Sequence, residues 1–293
     1  MNQDEDADAL IFGNHRHSAS FARDIAASVD GYSYDFVRLP DFEALLLRDP
    51  AQGMKVYWEE MLMRAHWAAS GSVIRVAAWM DGLRASHELK RVLPFAACMR
   101  GLLEAAADTN FSLNQVPITL AQGYKQIRKS LEGNQSMFWM SAELEELLIH
   151  FTHATKLVPK SGLPLPQHEA KTTADYLAYF KDGNPELGQV YRLLCDMVHP
   201  GSSSLWWFLD GVDEGMSVVV AQGHEWPELQ FLRDLCRGQM DTIFIGAVTL
   251  PVLTLKTLNM FPLARVRTPA VDKINMDALK AWQAVSELIA KHP

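Results

Sequence analysis

A chain of 293 residues with 48% hydrophobic side chains is long enough to bury one large core or two modest ones, which excludes a disordered or fibrous protein. Its formal net charge of −8 gives no general attraction to nucleic acid, whose binding draws on clustered Lys and Arg, so any RNA contact has to be local. Three cysteines, Cys98, Cys195 and Cys236, lie far apart without CxxC or Cys/His ligand spacing, which points to buried, reduced thiols in a cytoplasmic protein.

The opening MNQDEDADAL is acidic where a secretory signal is basic and then apolar, so export is not expected. Residues 1–50 read as an N-terminal arm, mixing acidic, aromatic and turn residues, with a short helix over 18–28. His15 and His17 stand two apart, a spacing that faces opposite ways on a helix and the same way on a strand. A surface arm and a metal site are the two readings of that pair.

From residue 51 to 293 the pattern is that of a single helical-bundle domain. Residues 52–80 carry Val56, Met61, Ala65, Ala69, Val73 and Val76 near one side, and Gly82 marks the expected stop. A second long helix is expected over 83–109. Its second half is apolar except for Arg100, Glu104 and Asp108 at spacing four, a charged seam that must find partners when buried. Either it forms an internal ion pair that fixes packing or it supports a site. The seam is expected inside the bundle, against the helix that follows Asn184.

Pro117 suits the first turn of a helix over 118–131 with a basic face of Gln126, Arg128 and Lys129. The next helix, over 136–158, presents Glu146, His150 and His153 on one face, an E-x3-H-x2-H pattern weaker than the paired histidines of metal helices. It reads as a polar face or a ligand set, and no metal or cofactor is expected. Residues 159–171 begin with PKSGLPLP and read as an internal Pro/Gly-rich loop joining two halves of the bundle. Thr172 or Thr173 can cap a short helix through DYLAYF, and Pro185 sits near the first position of the next.

That next helix is the most informative stretch, NPELGQVYRLLCDMVHPGSSSLWWFL over 184–209. At about 100° per residue, His199 returns to within about 20° of Arg192, with Asp196 on the same face. Val190, Leu194, Met197 and Val198 fill the other faces. The Ser-rich run after Pro200 should open a short helix bearing Trp206, Trp207 and Phe208. Residues 216–221, MSVVVA, are the strand candidate, pairing as a hairpin with residues near 207–211 or lying extended across the bundle. Pro227 should open a long helix through Leu258, kinked at Pro251, whose apolar run over 242–255 is too short to span a bilayer. A final helix over 276–291 places Leu279, Trp282, Val285 and Ile289 on one side. The fold class expected is all-α, a helical bundle with a minor β-hairpin. No Ser/His/Asp order, GxSxG element, Gly-rich phosphate loop or GxGxxG competes for the chemistry.

Arg192 and His199, with six residues between them, resemble the R-x4-6-H motif of the HEPN superfamily of helical-bundle proteins. The preceding Tyr191, the intervening Cys195, the Val198-His199-Pro200 run with its serines, and the earlier MRGLLEAAAD helix look like a bacterial branch of it, over about residues 55–225. The resemblance implies metal-independent RNA cleavage, as an RNase or a toxin or defence effector. His199 would act as acid or base, Arg192 as phosphate-binding cation and Asp196 as orienting group, supported by Arg100, Glu104, Tyr191 and Ser202. It also implies a homodimer that pairs two such helices. Leu193 departs from the polar residue that catalytic relatives carry after the arginine. Two other readings stand beside it: a non-catalytic module binding a nucleotide or a partner protein, and a helical protein holding a small molecule against Trp206 and Trp207. No membrane partner is expected.

Overall fold

Apolar residues at three- and four-residue spacing make nearly every described segment helical. The computed structural model describes residues 3–134, 138–154, 170–181, 184–212, 218–220 and 225–291. In chain order the helices are α1 (Gln3–Phe12), α2 (Arg16–Ser28), α3 (Leu39–Arg48), α4 (Pro50–Glu88), α5 (Val92–Leu113), α6 (Val116–Gln122), α7 (Tyr124–Leu131) and α8 (Ala142–His153). They continue with α9 (Thr173–Lys181), α10 (Pro185–Val198), α11 (Ser202–Trp206), α12 (Glu225–Arg237), α13 (Met240–Phe244), α14 (Leu250–Leu258) and α15 (Lys280–Ala290). Strands β1 (Leu209–Val212) and β2 (Val218–Val220) pair antiparallel, Leu209 opposite Val220. The protein is an all-α bundle with a minor hairpin.

Contacts divide the chain into two compact units. The first holds residues 1–23, 74–108 and 173–248, the second 24–73, 109–172 and 249–293. In the first unit Phe12, Phe95, Met99, Leu102, Leu194, Leu232 and Phe244 are fully or almost fully buried. In the second, Trp58, Leu62, Leu120, Ile127, Leu148, Leu253 and Val285 form the core, with α6 packed against α14 and α15.

The first two helices of the expected N-terminal arm are packed into the protein. Ile11, Phe12, Ala19, Ala22 and Ile25 are each 0% exposed, and Phe12 meets the Phe244 ring edge-on at 5.8 Å. Arg23 fixes the start of the chain to α4 by bonding Asp8 at 2.5 Å and Asp81 at 2.7 Å.

Gly82 does not stop α4, which runs on to Glu88. A side chain there would meet Cys98 Sγ at 2.6 Å, so this glycine lets α5 approach closely. The helix ends instead where Lys90 takes a left-handed φ of 55° and Arg91 N–H reaches back to the Ser86 carbonyl at 2.9 Å, a C-terminal capping turn. The helix expected over 118–131 is broken at Gly123 into α6 and α7.

The long helix expected from Pro227 to Leu258 is likewise interrupted. α12 ends at Arg237, and a π-helical stretch, Ile245–Thr249, separates α13 from α14. Pro251 lacks the N–H of a regular turn and its ring crowds the carbonyl four residues back; a wider turn just before it relieves both. The run Met240–Leu258 is 19 residues long and apolar enough to cross a bilayer, and 72% of its most apolar window is buried within the protein. The loop assigned to residues 159–171 falls largely outside the described residues.

Candidate functional site

α10 is built as its sequence suggests. Asn184 caps it by accepting from Leu187 N–H at 3.2 Å, and Pro185 occupies the first turn. The other end is set by Pro200, which disfavours helical conformation in the residue before it. His199 is therefore the C-cap, extended at φ −74° and ψ 142°, its N–H bonded to the Cys195 carbonyl at 2.8 Å. The imidazole thus stands at the C-terminus of α10.

Beside it runs the charged seam of α5, in the same unit. Glu104 Oε1 accepts from Arg100 Nε at 2.9 Å and from the Tyr191 hydroxyl at 2.8 Å. The Arg100 guanidinium lies 5.9 Å from the Tyr191 ring centroid, and its Nη1 is 3.3 Å from His199 Nε2. A guanidinium only donates, so Nε2 accepts and the ring carries its proton on Nδ1 in this arrangement. Burial and then the Glu104 hydrogen bond push the Tyr191 phenol above its ordinary range, with Cys195 adding to the shift; it remains a donor. Burial pulls Arg100 down, but the Glu104 hydrogen bond and charge outweigh it and leave the pKa raised.

Arg100, Glu104, Tyr191 and His199 therefore form one connected network, reached from α5 and α10 as the spacing anticipates. Arg100 and Glu104 are partly buried, their side chains 23% and 31% exposed, rather than sealed inside. Asp108, the third member of the seam, bonds Arg75 at 2.5 Å instead.

The polar face of α10 is open to solvent: Arg192, Asp196 and His199 are all exposed. Neither Arg192 nor Asp196 forms a hydrogen bond or ion pair among the described residues. Ser202, the first residue of α11, is exposed too. Trp206 is 59% exposed, and neither it nor Trp207 lines the two cavities described below. Arg128 and Lys129 belong to the other unit, where Arg128 pairs with Glu132 at 3.0 Å.

Among the described residues no group of three or more His, Cys, Asp or Glu side chains is placed to hold a metal ion. Glu146 and His150 line a cavity in the second unit. His15 is committed elsewhere: its ring stacks on Phe244 at 4.7 Å and its Nε2 lies 2.6 Å from Asp241 Oδ1. That pair borders a cavity of about 430 Å³ in the first unit, with Asn14 and Arg237 in its wall. Sequence reading misses it because 226 residues separate the partners and no spacing rule reaches that far.

Compared with known proteins, the chain matches no family model, no curated protein and no solved structure.

Proposed function

We propose that the chain is a HEPN-like, metal-independent ribonuclease whose site lies at the C-terminal end of α10. The observation that supports this most is the exposure of His199 and Arg192 together with the contact between His199 and the Arg100 network. An acid-base group is thereby held from one side while a guanidinium without a partner among the described residues remains available for phosphate. His199 takes the proton of an RNA 2′-hydroxyl as its oxygen attacks phosphorus, and returns a proton to the departing 5′-oxygen. Arg192 holds the phosphate oxygens through its planar fork, and a phosphate drawing Arg100 Nη1 toward itself would free His199 Nε2 for this work. Asp196 stands one turn from Arg192 without pairing with it among the described residues, and a second copy's α10 would complete the site.

The test is purified protein with mixed RNA in excess EDTA. Wild type should cleave, His199→Ala should lose about 10²- to 10⁴-fold in rate, and Arg192→Lys should fail because a point-charge ammonium does not reproduce the fork. Cleavage that survives His199→Ala, or that EDTA abolishes in wild type, refutes the mechanism. A second reading, a non-catalytic module that binds a nucleotide or a partner protein, draws support from half-buried Leu193 beside the site arginine and from Glu104, which already neutralises Arg100. Absence of cleavage under every condition, with retained folding, would favour it.

A further inference from the structure

After Asp196 the chain changes character. Residues 197–209 include no acidic side chain, although the whole chain carries a formal net charge of −8, so this run does not itself repel a polyanion. Glu104, the acid that reaches the cluster from α5, is already bonded to Arg100 and Tyr191. Beyond His199, Ser202 and Ser203 are exposed, hydroxyls of the kind that bond phosphate and sugar oxygens. Trp206 follows on α11, 59% exposed and without a hydrogen bond or ring contact among the described residues. Trp67, exposed by 39%, instead stacks against Tyr34 with centroids 6.4 Å apart.

Pro200 and Gly201 alone separate His199 from α11, which lies against α10. Three backbone steps of about 3.8 Å and four helical rises of about 1.5 Å keep the Trp206 Cα within about 17 Å of that of His199. An uncovered indole thus stands near an acid-base group, with hydroxyls between them, and Arg192 on α10 has no partner among the described residues. Single-strand binding divides its work in this way, with cations and hydroxyls on the backbone and an aromatic face under a base. We infer that Trp206 is a stacking platform for a base of the RNA strand held at the α10 end, and that the site therefore takes single-stranded RNA. A base inside a duplex has both faces covered by its neighbours and does not reach the indole. This role rests on the reading of the α10 end as an RNA site and adds the class of RNA that the site accepts.

The probe is a short labelled 2′-O-methyl oligonucleotide of mixed sequence without self-complementarity, followed by fluorescence anisotropy with the full chain. It lacks the attacking hydroxyl, so binding is read apart from cleavage. The single strand should bind at least about tenfold more tightly than the same strand annealed to its complement. Trp206→Ala should weaken single-strand binding about tenfold, within the worth of one stacked base, and erase the preference over duplex, whereas Trp206→Tyr should keep most of both. Trp67→Ala, in the second unit, should change neither. Equal affinity for single strand and duplex, no binding by wild type, or an affinity unmoved by Trp206→Ala would overturn the assignment. Leu205, 65% exposed beside the indole, would widen a contact with another protein; wild-type self-association that Trp206→Ala removes, without oligonucleotide binding, would transfer the indole to that role. Cleavage that needs His199 while Trp206→Ala changes neither cleavage nor binding refutes the stacking and leaves the ribonuclease. Binding that falls in Trp206→Ala, in a protein that cleaves nothing, keeps the stacking and removes the ribonuclease.

Discussion

Acidification tests the packing of the second unit through one side chain. His66 on α4 is 0% exposed, stacked on Tyr32 at 4.9 Å, with Nδ1 2.7 Å from the Tyr34 hydroxyl and Nε2 2.7 Å from the Thr268 hydroxyl. Ser70 Oγ lies 3.3 Å from the same Nδ1. A neutral imidazole satisfies this arrangement by accepting at Nδ1 and donating from Nε2; a second proton would require the Tyr34 hydroxyl to turn away. None of these four neighbours carries a negative charge at neutral pH, and burial pushes the imidazole from 6.5 down to about 4. The unfolded chain takes up the proton near 6.5 and the folded chain only near 4, so between those values the unfolded state binds more protons. Stability therefore falls as pH falls through that window. The gap from 6.5 to about 4, at about 1.36 kcal/mol per decade, amounts to about 3 kcal/mol. His66→Gln keeps a donor and an acceptor but cannot titrate. Urea unfolding followed by circular dichroism at about pH 7.5 and about pH 4.5 should show wild type losing about 2.5 kcal/mol more than the variant across that interval. Parallel losses in the two proteins would refute the reasoning, since other titrating groups are common to both.

Gly246, in the π-helical stretch, lies so close to α5 that a methyl group would overlap the Ala106 carbonyl. Gly246→Ala should lower stability by about 1–3 kcal/mol, the cost of overpacking against unyielding backbone, and an unchanged urea midpoint would show that α5 gives way freely. Cys236 is 0% exposed and burial pushes its thiol up to about 12; it should therefore resist iodoacetamide at neutral pH until the protein unfolds. Mass-spectrometric mapping that finds it alkylated in the native protein would contradict the burial.

Much of the architecture could be read from local rules because those rules act within a turn or two. Asn184 before Pro185 announces the start of α10, Ser141 caps α8 by accepting from Leu144 N–H at 3.2 Å, and spacing four along α5 puts Arg100 and Glu104 where α10 can meet them. Glycine was misleading because one residue serves two ends. Gly82 looks like a stop, yet its missing side chain serves the approach of Cys98. The N-terminal helices were hidden because their buried residues, Ile11, Phe12, Ala19 and Ala22, are few and lie among charges. What buries them includes Phe244, more than two hundred residues away. For the candidate site, shared helix phase located Arg192, Asp196 and His199 on one face. It did not determine which of them would be tied down: the α5 seam reaches His199 and Tyr191, and leaves Arg192 and Asp196 to solvent.

The second unit also carries its own optical reporter. Trp58 and Trp139 stack with ring centroids 4.7 Å apart and planes 17° from parallel; the Trp58 indole N–H donates to the Trp139 carbonyl at 3.1 Å, and Trp139 closes over the bare face of Gly123. Two indoles so close couple their excited states, and the resulting circular-dichroism couplet vanishes once the stack opens. Its loss on heating or in urea follows the second unit alone, whereas the helical signal near 222 nm sums both. Superposition of the two curves would mean that the units melt as one cooperative body, and separation would give each its own transition.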